Sequence, residues 1–378
     1  MVVSPHAAYL HLPFCRHHCG YCDYPVIAGR SELVPAFLDA MEAELSCLGE
    51  PHAVETLYLG GGTPSYLPLQ ALQRVVDMAR HWFPLQPGHE FTLEANPADL
   101  TAELASQLVS WGVTRVVLGV QSFQEAMLVE LERDHREEEI RGAVGVLQDS
   151  GIHLSLDMMF AVPGQTLAGW ERDLEGAVEL SPEHISVLGL VIEQGTPFHA
   201  RAEKGELVET GEELQRSMYL AALDKLQGAG FEHYEISSFS KPGHRSRHNQ
   251  VYWNGEDYYA AGPGATRFIN GCRETNHRET TTYLEKINAG LSPVCETSQL
   301  SAEMAARERL VFGLCQIQGV QAGEFLERTG YPLRELMGEY LEQYTSKGLL
   351  DWDESMLRLT RDGLLVSDSL WPPLLQSS

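Results

Sequence analysis

At 378 residues the chain has room for one large domain and a smaller one. Its 43% hydrophobic and 21% charged residues are ordinary for a soluble globular protein, and a formal net charge of −26 argues against a nucleic-acid partner, because phosphate binding needs a positive footprint. The N-terminus lacks a basic stretch followed by an apolar core, and no apolar run approaches the ~18 residues of a membrane span, so the expected location is cytoplasmic, with a peripheral membrane contact left open.

In chain order, the first strand candidate is Ala7–Leu12, and Cys15, Cys19 and Cys22 follow it in a C-x3-C-x2-C spacing. The other cysteines, Cys47, Cys272, Cys295 and Cys315, are scattered. Seven in all fit reduced thiols better than a disulfide framework. Three neighbouring thiolates are soft ligands that leave a four-ligand site incomplete. An iron–sulfur cluster with one open iron is one reading. Zinc completed by His11, His17 or His18 is a second, and a redox pair of Cys19 and Cys22 is a third.

Short β-type runs then alternate with amphipathic helical patterns. Glu55–Leu59 leads into Gly60-Gly61-Gly62-Thr63-Pro64, Glu90–Glu94 into Glu94-Ala-Asn-Pro97, and Arg115–Val120 into Gln121-Ser122. His153–Met159 carries Asp157 near its end, and His184–Leu190 is the sixth run. The helical stretches between them are Leu33–Leu48, Leu69–His81, Ala102–Trp111, Glu138–Asp149 and Leu167–Leu180. This alternation predicts an α/β fold with a parallel sheet, as an open, partial (β/α)6 barrel; a flat doubly wound sheet is the alternative. The polar and glycine-rich motifs all fall at the C-terminal ends of the strands, the face on which barrel folds carry their chemistry.

A helix over Glu212–Leu226 precedes Phe231–Phe239 and a loop-rich, aromatic stretch to about Asn276. Beyond Ser298, helical patterns over Ala302–Gln316, Gly323–Arg328 and Leu333–Lys347 are followed by two short runs, Leu349–Trp352 and Met356–Thr360, which predict a small winged-helix-like α+β domain. Acidic residues outnumber basic ones there, so a structural or protein-contact role is expected rather than DNA binding. The expected domains are 1–230, the barrel; 231–297, an aromatic-rich connecting segment; and 298–378, the C-terminal domain.

The cysteine trio together with Gly60–Pro64 resembles the radical S-adenosylmethionine (SAM) superfamily. That resemblance implies a [4Fe-4S] cluster on Cys15, Cys19 and Cys22, with the amino and carboxylate groups of SAM on the fourth iron. Tyr9-Leu-His-Leu-Pro-Phe-Cys15, Cys19-Gly-Tyr-Cys-Asp-Tyr24, Glu94–Pro97, Gly119-Val-Gln-Ser-Phe123, Asp157–Gln165 and Leu359–Asp368 are similar to the subfamily of oxygen-independent coproporphyrinogen III oxidases and haem chaperones. By that resemblance Tyr9, Gly61, Gly62, Thr63, Glu94, Gln121, Arg133 and Asp157 take SAM-contacting positions. Tyr21 packs against the adenine or shields the cluster.

Two departures from the oxidase pattern point toward the chaperones. Tyr24 stands where the oxidases have a fourth cysteine, and few residues precede Cys15, where they carry a longer segment. His248-Asn-Gln-Val-Tyr252-Trp253 also matches an H-N-x-x-Y-W motif associated with the chaperones. The resemblance implies haem as cargo, with His248 as a candidate iron ligand, Tyr252 and Trp253 as flat surface, and Arg245 and Arg247 as partners for propionates. The expected function is a haem chaperone with a SAM-coordinated cluster that passes haem to an acceptor protein. Oxidative decarboxylation of porphyrinogen propionates is the alternative, and a zinc-stabilised barrel with an interaction domain is a third.

Overall fold

The computed structural model describes residues 5–376. Six strands alternate with helices: β1 (Ala7–Leu12), β2 (Val54–Gly61), β3 (Leu85–Ala95), β4 (Arg115–Gln121), β5 (His153–Phe160) and β6 (His184–Gly189). The helices between them are α1 (Val34–Ser46), α2 (Leu69–Trp82), α3 (Ala102–Ser110), α4 (Glu137–Ser150) and α5 (Leu167–Glu179), and α6 (Glu212–Gly228) follows β6. Consecutive strands pair in parallel through all six. Three short strands extend the sheet: β7 (Glu232–Glu235), β8 (Ser238–Ser240) and β9 (Tyr259–Ala261). The order is β9-β1-β2-β3-β4-β5-β6-β8-β7, nine strands with two separate edges. The open, partial barrel expected from the alternation is the fold observed. The stretch after residue 230 supplies three of its strands.

The strands are buried on both faces, with different chemistry on each. Leu10, Leu57, Leu59, Phe91, Leu93, Val116, Leu118, Leu154, Leu156 and Ile185 belong to the main hydrophobic cluster with the helices. The opposite parity, which includes Tyr9, His11, Tyr58, Glu94, Arg115, Ser155, Asp157, His184 and Ser186, lines a cavity of about 490 Å³. Branched apolar residues usually fill a barrel interior. Here the interior is polar and partly hollow.

The barrel's N-terminal end is closed by a short helix, α7 (Arg247–Trp253). Its first amides, on Arg247 and His248, donate to the Glu90 carboxylate at 3.1 and 3.0 Å. Arg115 adds an ion pair to Glu90 at 3.3 Å and donates to the carbonyl of His244 at 3.0 Å.

Strands β10 (Thr266–Ile269), β11 (Cys272–Asn276) and β12 (Val294–Gln299) form an antiparallel sheet beside the barrel. The C-terminal part opens with α8 (Ala302–Leu314). Its own small sheet has the order β13 (Val320–Gln321), β15 (Met356–Leu359), β14 (Leu350–Trp352). A second hydrophobic cluster, with Leu310, Leu314, Phe325, Met337, Leu357 and Leu374, forms its core. This is the small domain of helices and strands that the sequence predicts. It is tied to the barrel by backbone bonds: Ile236 N–H to the Cys315 carbonyl and Ile317 N–H to the Tyr234 carbonyl, both 3.0 Å. The Arg309 guanidinium adds two side-chain bonds, to the carbonyls of Asn254 (2.6 Å) and Gly255 (2.7 Å).

Candidate cofactor site

The loop after β1 carries the three cysteines across the C-terminal mouth of the barrel. Phe14 and Cys15 pair with Ile27 and Ala28, and the Cys22 amide donates to the Cys19 carbonyl at 3.0 Å, so the loop closes on itself. All three thiols line one cavity of about 510 Å³, together with Tyr21, Gly61, Gly62, Thr63, Glu94, Gln121, Arg133 and Asp157. The sequence motifs, scattered over some 140 residues, therefore converge on one chamber. Tyr9 lies beneath it, in the adjoining lumen cavity, which shares Tyr24, Gly61, Glu94 and Asp157 with the first.

The glycine-rich loop is shaped by close packing. Gly61 has φ +105°, and a Cβ there would lie 2.3 Å from ring atoms of His11. A Cβ on Gly62 would come within 2.7 Å of the Leu12 and Phe14 carbonyls. Only glycine lets this loop lie so low over β1. Gly62 and Thr63 donate to those same carbonyls at 2.9 and 2.8 Å, which fixes the loop to the start of the cysteine segment. The Thr63 hydroxyl lies 3.4 Å from the Cys15 sulfur.

Glu94 accepts from the Tyr58 hydroxyl (2.7 Å) and from the Gly61 amide (2.9 Å). Burial lifts its carboxyl to about 7 and that of Asp157 to about 6. Burial likewise pushes the Cys15 thiol up to about 12 and raises that of Cys22. Arg133 faces the thiols, with Nη1 3.7 Å from the Cys19 sulfur and Nη2 donating to the Gly119 carbonyl at 3.2 Å.

Two buried polar atoms in the chamber wall, Gln121 Oε1 and Arg133 Nε, have no hydrogen-bond partner in the protein. Gln121 also holds a left-handed backbone, φ 60°, which a non-glycine residue adopts only under constraint. The turn is closed locally by the Ser122 amide, which donates to the Val120 carbonyl at 2.8 Å, and is held from α5 by Asp173, which accepts from the Ser122 hydroxyl (2.8 Å), the Phe123 backbone amide (2.9 Å) and Gln124 Nε2 (2.9 Å). Asp173 was not singled out in the sequence. Its one local signal is an acid among Trp170, Leu174 and Ala177 on the buried face of a helix.

These residues fit a [4Fe-4S] cluster with SAM. Three thiols face one chamber, a guanidinium stands beside them, and unmatched polar atoms and carboxylates line the remaining wall. The geometry does not favour the zinc alternative. Nε2 of His11 is spent on the Pro25 carbonyl, that of His17 on Glu132 and that of His18 on the Cys22 carbonyl, each at 3.0 Å. Among the described residues no three His, Cys, Asp or Glu side chains converge as a single metal ion would need.

The H-N-x-x-Y-W residues lie elsewhere, on α7 at the barrel floor. His248 is 1% exposed, and both ring nitrogens are engaged, Nδ1 with the Thr56 hydroxyl at 2.9 Å and Nε2 with the Tyr252 hydroxyl at 2.8 Å. An imidazole offered to haem iron from this position would first have to give up one of these two hydrogen bonds. Tyr252 packs edge-on against Tyr258, and Trp253 against Phe312 at 6.4 Å, in the seam with the C-terminal domain. Arg245 and Arg247, expected to meet propionates, pair with Glu232 and Glu55.

The open barrel and its cysteine and glycine cradle define a radical SAM protein. The family model described as "Radical SAM superfamily" matches residues 9–176, and "HemN C-terminal domain" matches residues 300–366. The chain belongs to the heme chaperone HemW family: it is 34% identical to "Heme chaperone HemW" of Bacillus subtilis, covering 97% of this chain and 98% of that one. It is also 32% identical to the protein of that name from Lactococcus lactis, covering 99% and 98%. The solved structure of coproporphyrinogen III oxidase (HemN) from Escherichia coli superposes with a TM-score of 0.85 at 21% identity, covering 98% of this chain and 90% of that one, a likeness of fold.

Proposed function

We propose that this chain is a haem chaperone that carries a SAM-coordinated [4Fe-4S] cluster, binds haem, and passes it to an acceptor protein. The observation that carries the reading is full-length kinship with haem chaperones, set against a likeness to the oxidase in fold alone. A local departure agrees with it. Tyr24 occupies the position of the oxidases' fourth cysteine; it is 66% exposed and borders both cavities.

In this reading Cys15, Cys19 and Cys22 hold the cluster. Arg133 offers a buried guanidinium to the SAM carboxylate. Glu94 and Asp157 offer carboxylates to its cationic or hydroxyl groups, and Gln121 supplies a free amide oxygen. Gly61 and Gly62 let the backbone approach closely. A cluster with SAM on its open iron supplies one-electron chemistry when reduced.

One anaerobic experiment separates the chaperone from the oxidase. Reconstituted protein is incubated with coproporphyrinogen III, SAM and reductant, and separately with haem. Stoichiometric haem binding without decarboxylation supports the chaperone. Protoporphyrinogen formation overturns it.

A further inference from the structure

His11 is four residues before the first cysteine and touches neither the sulfurs nor the chamber that holds them. It is nevertheless where three loops meet. The imidazole is 3% exposed, on the inner face of β1. Nε2 lies 3.0 Å from the Pro25 carbonyl, at the exit of the cysteine loop, and Nδ1 lies 3.0 Å from the Tyr9 hydroxyl. A carbonyl can only accept, so Nε2 carries the hydrogen and donates, and the Nδ1 lone pair takes the tyrosine O–H. Burial pushes the imidazole down to about 4, so the ring is neutral and this tautomer is the one the partners require.

The ring is also the floor under the glycine-rich loop, packed so close to Gly61 that a Cβ there would overlap it. The third loop follows β9. Gly262 has φ +105°, and a Cβ on it would lie 2.4 Å from the His11 carbonyl. A Cβ on Gly264 would lie 2.5 Å from Pro25. Pro25 is thus held between His11 and Gly264. The Gly262 loop is pinned in turn, because the Gly262 amide donates to the buried Glu44 carboxylate at 2.9 Å and Asn276 bridges Glu44 and the Gly262 carbonyl.

We propose that His11 is a positioning residue which sets the gap between the cysteine loop and the glycine-rich loop, and so fixes SAM against the cluster without touching either. Its ring thickness sets the height of Gly61, and its Nε2–H sets the position of Pro25. Those loops carry the two halves of the cofactor site. An error of a few tenths of an ångström at His11 would be passed to the distance between the open iron and its ligand.

The test uses the full chain with three substitutions. His11→Phe keeps a ring beneath Gly61 and removes both hydrogen bonds. His11→Gln places an amide N–H near the position of Nε2. Tyr9→Phe removes the hydroxyl bonded to Nδ1 and leaves the Pro25 carbonyl, which selects the tautomer, in place. After anaerobic reconstitution, His11→Phe is expected to hold as much iron and sulfide as the parent. It should bind SAM about tenfold more weakly, with a diminished SAM-induced change in the electron paramagnetic resonance spectrum of the reduced cluster. His11→Gln should recover most of that loss, and Tyr9→Phe should weaken SAM by about threefold. In the cluster-free chain, site-resolved alkylation should show Cys22 reacting faster relative to Cys15 in His11→Phe, because the loop exit is released. Parental SAM affinity, spectrum and alkylation pattern in His11→Phe would overturn the proposal. So would a loss of iron, SAM binding and melting temperature that is equal in all three variants, since that describes general stability and not position.

Discussion

Asp173 accepts the backbone N–H of Phe123 at 2.9 Å across a separation of 50 residues, and so fixes the turn that leaves Gln121 in a left-handed conformation. No atom of Asp173 lines the cofactor chamber. Replacing it by alanine strands the Ser122 hydroxyl and the Phe123 amide in a buried setting. Asp173→Ala is expected to lose about 1–3 kcal/mol of stability and to relax Gln121. SAM affinity, measured by equilibrium dialysis, should fall severalfold while iron content stays at the parental level. Parental SAM affinity in this variant would show that the turn holds without its acid.

Each thiol of the trio is expected to be needed for the cluster, but their removal should not unfold the chain. Cys19 makes only long contacts, 3.7 Å to Arg133 and 3.9 Å to the Glu132 carbonyl. Cys19→Ser should therefore fold normally, with unchanged far-ultraviolet circular dichroism, and lose the full [4Fe-4S] absorbance after reconstitution. A complete cluster in that variant would reassign the site.

Glu94 gives a pH dependence with a defined sign. Its carboxyl titrates near 7 in the folded chain and near 4.5 when ordinarily solvated. Between those values the folded state keeps a proton that the unfolded state releases, so stability falls as pH rises through the window. The penalty is absent below 4.5 and complete above 7, at about 3 kcal/mol. Urea unfolding of the cofactor-free chain at pH 5 and pH 8 should show this fall in the parent and a smaller one in Glu94→Gln. Equal pH dependence in the two chains would remove Glu94 as its source.

His248 is the place where the motif and the geometry part. His248→Ala leaves the Thr56 and Tyr252 hydroxyls without their partner and a cavity in the barrel floor. It should cost about 2–4 kcal/mol, read as a lower urea midpoint. Haem stoichiometry and affinity, titrated on the folded protein, should stay at parental values. A large drop in haem affinity with an unchanged midpoint would restore His248 as a ligand.

The barrel was legible because its strands carry apolar residues at alternate positions and its motifs sit at strand ends. Leu57 and Leu59 pack outward while Tyr58 faces the lumen, which is the period-two pattern that the run Glu55–Leu59 displays. The cysteine and glycine residues were legible for the same reason, since spacing and the absence of a Cβ are local facts. His11, Glu44 and Asp173 were not. Their partners, Pro25, Gly262 and Phe123, become neighbours only once the sheet has formed. The hydrogen bonds of His248 were not legible either, because what a histidine's ring nitrogens meet is a property of its surroundings. Thr56 and Tyr252 reach it from β2 and from the next turn of α7. The strands β7 to β9 were missed as sheet members because each is only three or four residues long.

The backbone bonds between Tyr234–Ile236 and Cys315–Ile317 give the C-terminal domain a protective duty that is separate from any partner it meets. β7 is the outermost strand on its side of the sheet, and the domain's linker covers its open edge. A chain shortened before residue 300 would bare that edge along with the apolar side chains that pack against it. Self-pairing of strands into aggregates is the expected fate of such a fragment. Trimming the barrel to a minimal cofactor-binding unit is therefore expected to reduce its solubility.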